Sequence, residues 1–114
     1  MPLERLLRAG GVAAVVMAVA GLPVGPSAAE RSRTHVVEIR RFEFVPAEVE
    51  VGPGDTIRWI NRDPVPHTAT AADSAWDSGR LESGEAWDLV VGDGDAGNYL
   101  CAYHPTMRGQ VVER

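Results

Sequence analysis

An all-β domain, an antiparallel sandwich or barrel of about seven strands behind a removable leader, is what the sequence leads one to expect. From His35 onward, short stretches rich in Val, Ile and aromatic residues alternate with clusters of turn formers. Helical periodicity is absent from this part of the chain. The remaining long apolar run sits apart, at the amino end.

That amino-terminal block, residues 1–29, has the form of a secretory signal peptide. Arg5 and Arg8 give a positive start, residues 9–20 an apolar run, and Ser27-Ala28-Ala29 a small-residue cleavage site. A retained membrane anchor is the alternative. The apolar run falls short of the ~20 residues a spanning helix needs, and Gly21, Pro23, Gly25 and Pro26 break it. The expectation is therefore export to the periplasm or the cell exterior, no stable membrane insertion, and a domain over residues 30–114.

Within that domain the patterning places strands at 36–42, 48–51, 56–61, 68–71, 86–91, 97–102 and 109–113. Gly52-Pro53-Gly54-Asp55, Asp63-Pro64-Val65-Pro66, Ser83-Gly84-Glu85 and Gly92-Asp93-Gly94-Asp95 punctuate them. Phe42, Phe44, Trp59, Trp76 and Trp87 are expected in the core or at its rim. Trp76 is the exception to watch, because its polar surroundings also suit a surface position. His35 has no ligand-like neighbours in sequence and reads as a solvated residue. Asp73, Asp77, Asp88, Asp93 and Asp95 lack the alternating spacing and terminal Glu of a calcium loop, and read as solvated turns.

A domain of this size buries only ~60% of its unfolded surface and is correspondingly marginal. The one cysteine, Cys101, cannot form an internal disulfide. A bound metal is the natural staple, since binding to the folded state adds to stability. The formal charge of −5 becomes −6 once the leader's Glu4, Arg5 and Arg8 are removed. Such an acidic domain is not built for nucleic acid or anionic lipid. Every cationic side chain is Arg, for which the sequence offers no functional reason.

The chemistry is concentrated in Cys101-Ala102-Tyr103-His104-Pro105-Thr106-Met107, with His67 upstream. Strand alternation puts Tyr99 and Cys101 on one face and Leu100 and Ala102 on the other, so the thiol points inward at the strand's end. His104 and Met107 then come from the following loop, stiffened by Pro105. Two imidazoles, a thiolate and a weak thioether are the donor set of a type 1 copper site, acceptable to both Cu(II) and Cu(I). Cys and Met also occur as plain core residues, but the chain has one Cys, three His and three Met, two of the Met lying in the leader. Structural zinc would want four firm ligands, and thioether is a poor one. Covalent haem needs a second cysteine.

At this point the chain resembles the small cupredoxins of the plastocyanin and azurin group, and its amicyanin-like branch above all. The matching pieces are Phe42-x-Phe44-x-Pro46, Gly54-Asp55-x-Ile57-x-Trp59-x-Asn61-Arg62, Pro66-His67-Thr68 and Cys101-x-x-His104-Pro105-x-Met107-Arg108-Gly109. The resemblance implies a Greek-key β-sandwich holding one copper ion. His67, Cys101 and His104 would be equatorial ligands and Met107 the axial one. It further implies a monomeric one-electron carrier rather than an enzyme. A redox donor and acceptor, of dehydrogenase or cytochrome c type, would dock at the His104 face. That imidazole would be the electron port, within an apolar patch of Pro64, Val65, Pro66, Pro105 and Thr106, and able to protonate and leave reduced copper. Sequestration or delivery of copper is the alternative, although the Met- or His-rich tract that delivery favours is missing.

Two positions depart from the relatives. Thr68 stands where they place Asn directly after the first histidine, so the bond tying the ligand strand to the loop is expected to change. Thr106 replaces a bulky aromatic and shrinks the expected docking patch.

Overall fold

The computed structural model describes residues 31–114; the leader expected at 1–29 lies outside the described residues. Among the described residues eight strands run in chain order: β1 Thr34–Arg40, β2 Glu43–Val45, β3 Glu48–Val51, β4 Thr56–Asn61, β5 Thr70–Ala71, β6 Ala86–Val90, β7 Gly97–Leu100 and β8 Arg108–Glu113. They form two four-stranded sheets, β2-β1-β4-β6 and β3-β8-β7-β5. The alternation read from the sequence sets which side chains face inward. Val37 and Ile39 of β1, Ile57 and Trp59 of β4, Val49 and Val51 of β3, Tyr99 of β7 and Val111 of β8 meet between the sheets. Outward positions carry the charge, as where Arg58 grips Asp88 through two hydrogen bonds of 2.7 and 2.8 Å across β4 and β6.

Pairing is mixed rather than purely antiparallel. β1 runs parallel to β4, and β3 parallel to β8. Periodicity along one strand carries no information about the direction of its neighbour. Here the chain leaves one sheet after β2 and enters the other at β3, so strands adjacent in space are distant in sequence.

The strand missed in the sequence is β2. Where 36–42 was expected to run on as one strand, β1 ends at Arg40, and Arg41 and Phe42 turn the chain back with φ of 55° and 61°. The register Arg40↔Glu43 makes this a two-residue hairpin loop with both central residues left-handed. Such turns ordinarily announce themselves with Asn-Gly or Asp-Gly. Side chains with a Cβ cost about 1–2 kcal/mol each in that conformation, so something outside the hairpin must hold it.

Trp76 is buried, its indole nitrogen donating to the Asp95 carbonyl at 2.9 Å, and it packs with Trp59 and Trp87 in one aromatic layer. His35 is a correction. It is not simply solvated, because its Nε2 lies 2.9 Å from Oδ2 of the buried Asp55. The same carboxylate accepts from the amides of Gly52 and Arg33 and from the Arg114 guanidinium. The start of β1 and the chain end after β8 are thereby fastened to one residue just before β4. The Gly52 amide and the His35 ring, outweighing burial, hold Asp55 far below the usual carboxylate range.

Candidate metal centre

The candidate ligands gather at the other end of β4. Tyr99 and Cys101 both point inward, as the alternation requires, while Ala102 is exposed. β7 stops at Leu100, short of the expected 102, because the backbone leaves the ladder to build the loop. The His104 amide donates to the Cys101 carbonyl (3.2 Å), the Met107 amide to the His104 carbonyl (2.8 Å), and the Cys101 amide to the Met107 carbonyl (3.1 Å). The loop is closed on itself by its own main chain, and Pro105 sits where no donor is needed. His67 arrives from the segment before β5, locked to Leu81 by reciprocal backbone bonds of 3.1 and 2.8 Å.

Three side-chain atoms converge there. Cys101 Sγ lies 3.7 Å from His67 Nδ1 and 3.8 Å from His104 Nδ1, and all three ligand atoms fall within 4.8 Å of one another. Two ligand atoms each about 2.0–2.3 Å from one ion, and set trigonally around it, are themselves ~3.7 Å apart. The spacing therefore suits a single cation, and thiolate with two imidazoles suits copper. Met107 is buried at the same end, and its backbone closes the loop.

Hydrogen bonds fix the tautomer of His67. His67 Nε2 lies 2.8 Å from Oδ2 of Asp63. An ionised carboxylate only accepts, so Nε2 carries the proton and Nδ1, the atom facing sulfur, keeps its lone pair. Asp63 also accepts from the amides of Arg41 (2.6 Å) and Phe42 (2.9 Å). Burial alone would raise its pKa, but the Phe42 and Arg41 amides together with His67 bring it below the ordinary range. Asn61 holds the loop that carries these groups: its side chain accepts from the Asp63 amide and donates to the carbonyls of Val65 and Leu81. The Cys101 sulfur accepts from the Thr68 amide at 3.4 Å.

Thr68 does tie the ligand strand to the loop, by a different group from the expected Asn. Its hydroxyl accepts from the Ala102 amide at 2.8 Å and lies 2.8 Å from Thr70 Oγ1, which in turn donates to Asp77 at 2.9 Å. With Thr70's proton committed to the carboxylate, the Thr68 proton points to Thr70. The bonds run one way, from Ala102 through both hydroxyls to Asp77.

The surface above the ligands also differs from the expected patch. Pro64, Pro105 and Thr106 are exposed, and Val65 and Pro66 half-buried. To these Phe42 adds a ring that is 46% exposed and stands edge-on to both His67 and His104, with centroids 5.0 and 4.9 Å away. His67 and Cys101 are wholly buried and His104 partly exposed. Sequence reasoning missed Asp63, read there as turn punctuation, and the covering role of Phe42. An acid four residues before a candidate ligand is too common a spacing to single out.

No protein-family profile matches the chain. Amicyanin from Paracoccus denitrificans is 32% identical over 82 residues, which cover 68% of this chain and 63% of that protein. Amicyanin from Paracoccus versutus is 26% identical over 82 residues, 68% of this chain and 62% of that protein. The chain thus spans somewhat less than two thirds of the length of these curated relatives. Among solved structures, the reduced state of an amicyanin mutant matches at TM-score 0.64 and 30% identity, covering 79% of this chain and 92% of that one. An oxidised amicyanin mutant matches at 0.64 and 31%, covering 71% and 82%. The purple cupredoxin from Nitrosopumilus maritimus, 23% identical with TM-score 0.65 over 70% of this chain and 99% of that one, shares the fold.

Proposed function

Because the chain belongs to the amicyanin family of small cupredoxins, we propose that it is an exported type 1 copper protein carrying single electrons between redox proteins. His67, Cys101, His104 and Met107 are the proposed ligands. The convergence of Cys101 Sγ with the Nδ1 atoms of His67 and His104, within 4.8 Å, is the observation that carries this reading.

Each residue has a defined task. Cys101, buried and bonded by the Thr68 amide, offers a thiolate, and His67 offers Nδ1 because Asp63 keeps the proton on Nε2. Met107 offers a thioether, a soft and weak donor. Copper held there would supply the Cu(II)/Cu(I) couple. Burial of His67 and Cys101 excludes water from the centre, while the partly exposed His104 gives a short path to the surface. Closure of the loop by its own backbone restrains the ligands against rearrangement, which is what rapid transfer requires. A closed site of this kind favours a carrier over a protein that hands copper on.

The leader at 1–29 supports export to the periplasm or beyond, and the face around His104, Phe42 and Pro105 suits a donor and an acceptor protein docking in turn. A dehydrogenase and a c-type cytochrome fit these roles, with the chain acting as a monomer. Voltammetry of the copper-loaded domain 30–114, alongside transfer of copper to a chelator, tests the proposal. A reversible one-electron wave with slow copper loss is expected. Rapid loss of copper without a reversible wave would place the chain among copper-delivery proteins.

A further inference from the structure

One carboxylate serves both the candidate metal ligand and the turn above it. Asp63 is buried, and its three hydrogen bonds come from His67 Nε2–H and from the amides of Arg41 and Phe42. Those amides belong to the two consecutive left-handed residues of the β1–β2 loop, a conformation the side chains of Arg and Phe do not favour. No glycine is present to relax the turn. The ring this turn presents, that of Phe42, packs edge-on against both imidazoles and remains half in solvent.

We propose that Asp63 is a positioning residue that couples the Phe42 turn to His67, so that the surface aromatic at the docking face and the buried imidazole take up their places together. The inference rests on the metal-site reading above and extends it to presentation of the docking surface. Its chemical basis is acceptor capacity. Oδ1 takes the Arg41 amide, and Oδ2 takes both the Phe42 amide and the His67 proton. An asparagine cannot do this. With its amide nitrogen at the Oδ2 position it meets two donors, and with the nitrogen at Oδ1 it meets the Arg41 amide. His67 could satisfy an amide nitrogen only by accepting at Nε2, which moves its proton to Nδ1, the atom that faces Cys101 Sγ. One isosteric change therefore costs the turn an acceptor in either orientation, and with the nitrogen at the Oδ2 position it blocks the ligand as well. Coupling of this kind is reciprocal: metal at His67 must favour the closed turn by the factor by which the closed turn favours metal.

Amide hydrogen exchange by NMR on the domain, without metal and with one equivalent of Zn(II) as a diamagnetic probe, tests it. In the wild-type protein, Zn(II) is expected to slow exchange at Arg41 and Phe42 several-fold. In Asp63→Asn, both amides should exchange about tenfold or more faster than in the wild type and cease to respond to Zn(II). Zn(II) affinity, read by chelator competition, should fall roughly 10–100-fold. Asp63→Glu, which keeps the acceptor capacity, should recover part of both effects. The proposal is overturned if Asp63→Asn weakens Zn(II) while Arg41 and Phe42 exchange as in the wild type, or loosens the turn with affinity unchanged. Should the Asn variant not fold, wild-type exchange decides: no response at Arg41 and Phe42 to bound Zn(II) overturns the coupling. A wild-type domain that binds neither Zn(II) nor copper overturns the metal-site reading itself, a distinct result.

Discussion

Replacing Thr68 by Val isolates the hydroxyl that joins the two ligand-bearing segments. The side chains are nearly isosteric and both β-branched, so at this 3% exposed position no cavity opens and strand preference is kept. What disappears is the acceptor for the Ala102 amide and the donor to Thr70, each at 2.8 Å. At ~0.5–1.5 kcal/mol net per bond, the loss is about 1–3 kcal/mol. Because Ala102 is exposed and its amide can turn to water, the lower half of that range is expected. For a domain of this size 1 kcal/mol moves Tm by about 4–8 °C, so calorimetry of the metal-free protein should show a drop of ~5–12 °C. Thr68→Ser should restore most of it, since only the hydroxyl matters. The Ala102 amide should exchange faster in the Val variant and normally in the Ser variant. A Val variant melting within about 2 °C of the wild type, with Ala102 exchange unaltered, would refute the reasoning.

Two further substitutions probe the packing under the centre and the fastening at the far end. At Gly109 an added Cβ would sit 2.3 Å from Tyr99 Cζ, so Gly109→Ala must displace the ring beside Cys101. A loss of about 1–3 kcal/mol is expected in urea midpoints, and an unchanged midpoint would contradict the packing described. The folded-state pKa of Asp55 is depressed, chiefly by the Gly52 amide and the His35 ring. Its stabilising contribution is therefore complete well above the unfolded value of ~3.9 and declines as pH falls through the acid range towards the folded value. Asp55→Asn should be clearly less stable than the wild type at pH ~7, and the gap should narrow by pH ~3. A gap of equal size at both pH values would show that Asp55 acts without its charge.

The inward-facing Tyr99 and Cys101 were legible because a period of two is a property of a strand by itself. So was the ligand group, since Cys101, His104 and Met107 are neighbours in sequence and His67 is one of three histidines. What escaped depends on partners brought in from elsewhere. The Arg41-Phe42 turn has no glycine because Asp63, twenty-one and twenty-two positions on, supplies what glycine would have given. His35 looked solvated because Asp55, twenty positions away, meets it only in the folded domain. The parallel pairings of β1 with β4 and β3 with β8 arise from the chain changing sheets, which no local pattern records. Thr68 was expected to change the tie to the ligand loop. A hydroxyl, with its second bond passed on through Thr70 to Asp77, makes that tie in another way.

Titration of the metal-free domain with Cu(II), followed by visible absorption and paramagnetic resonance on wild type and Cys101→Ser, asks most plainly whether thiolate and imidazoles share one ion. An intense charge-transfer band that saturates at one equivalent and vanishes in the Ser variant is expected. A colourless Cu(II) form, or a band that survives the loss of the thiol, would mean that Cys101 does not bind the metal and that the chain is no blue copper carrier.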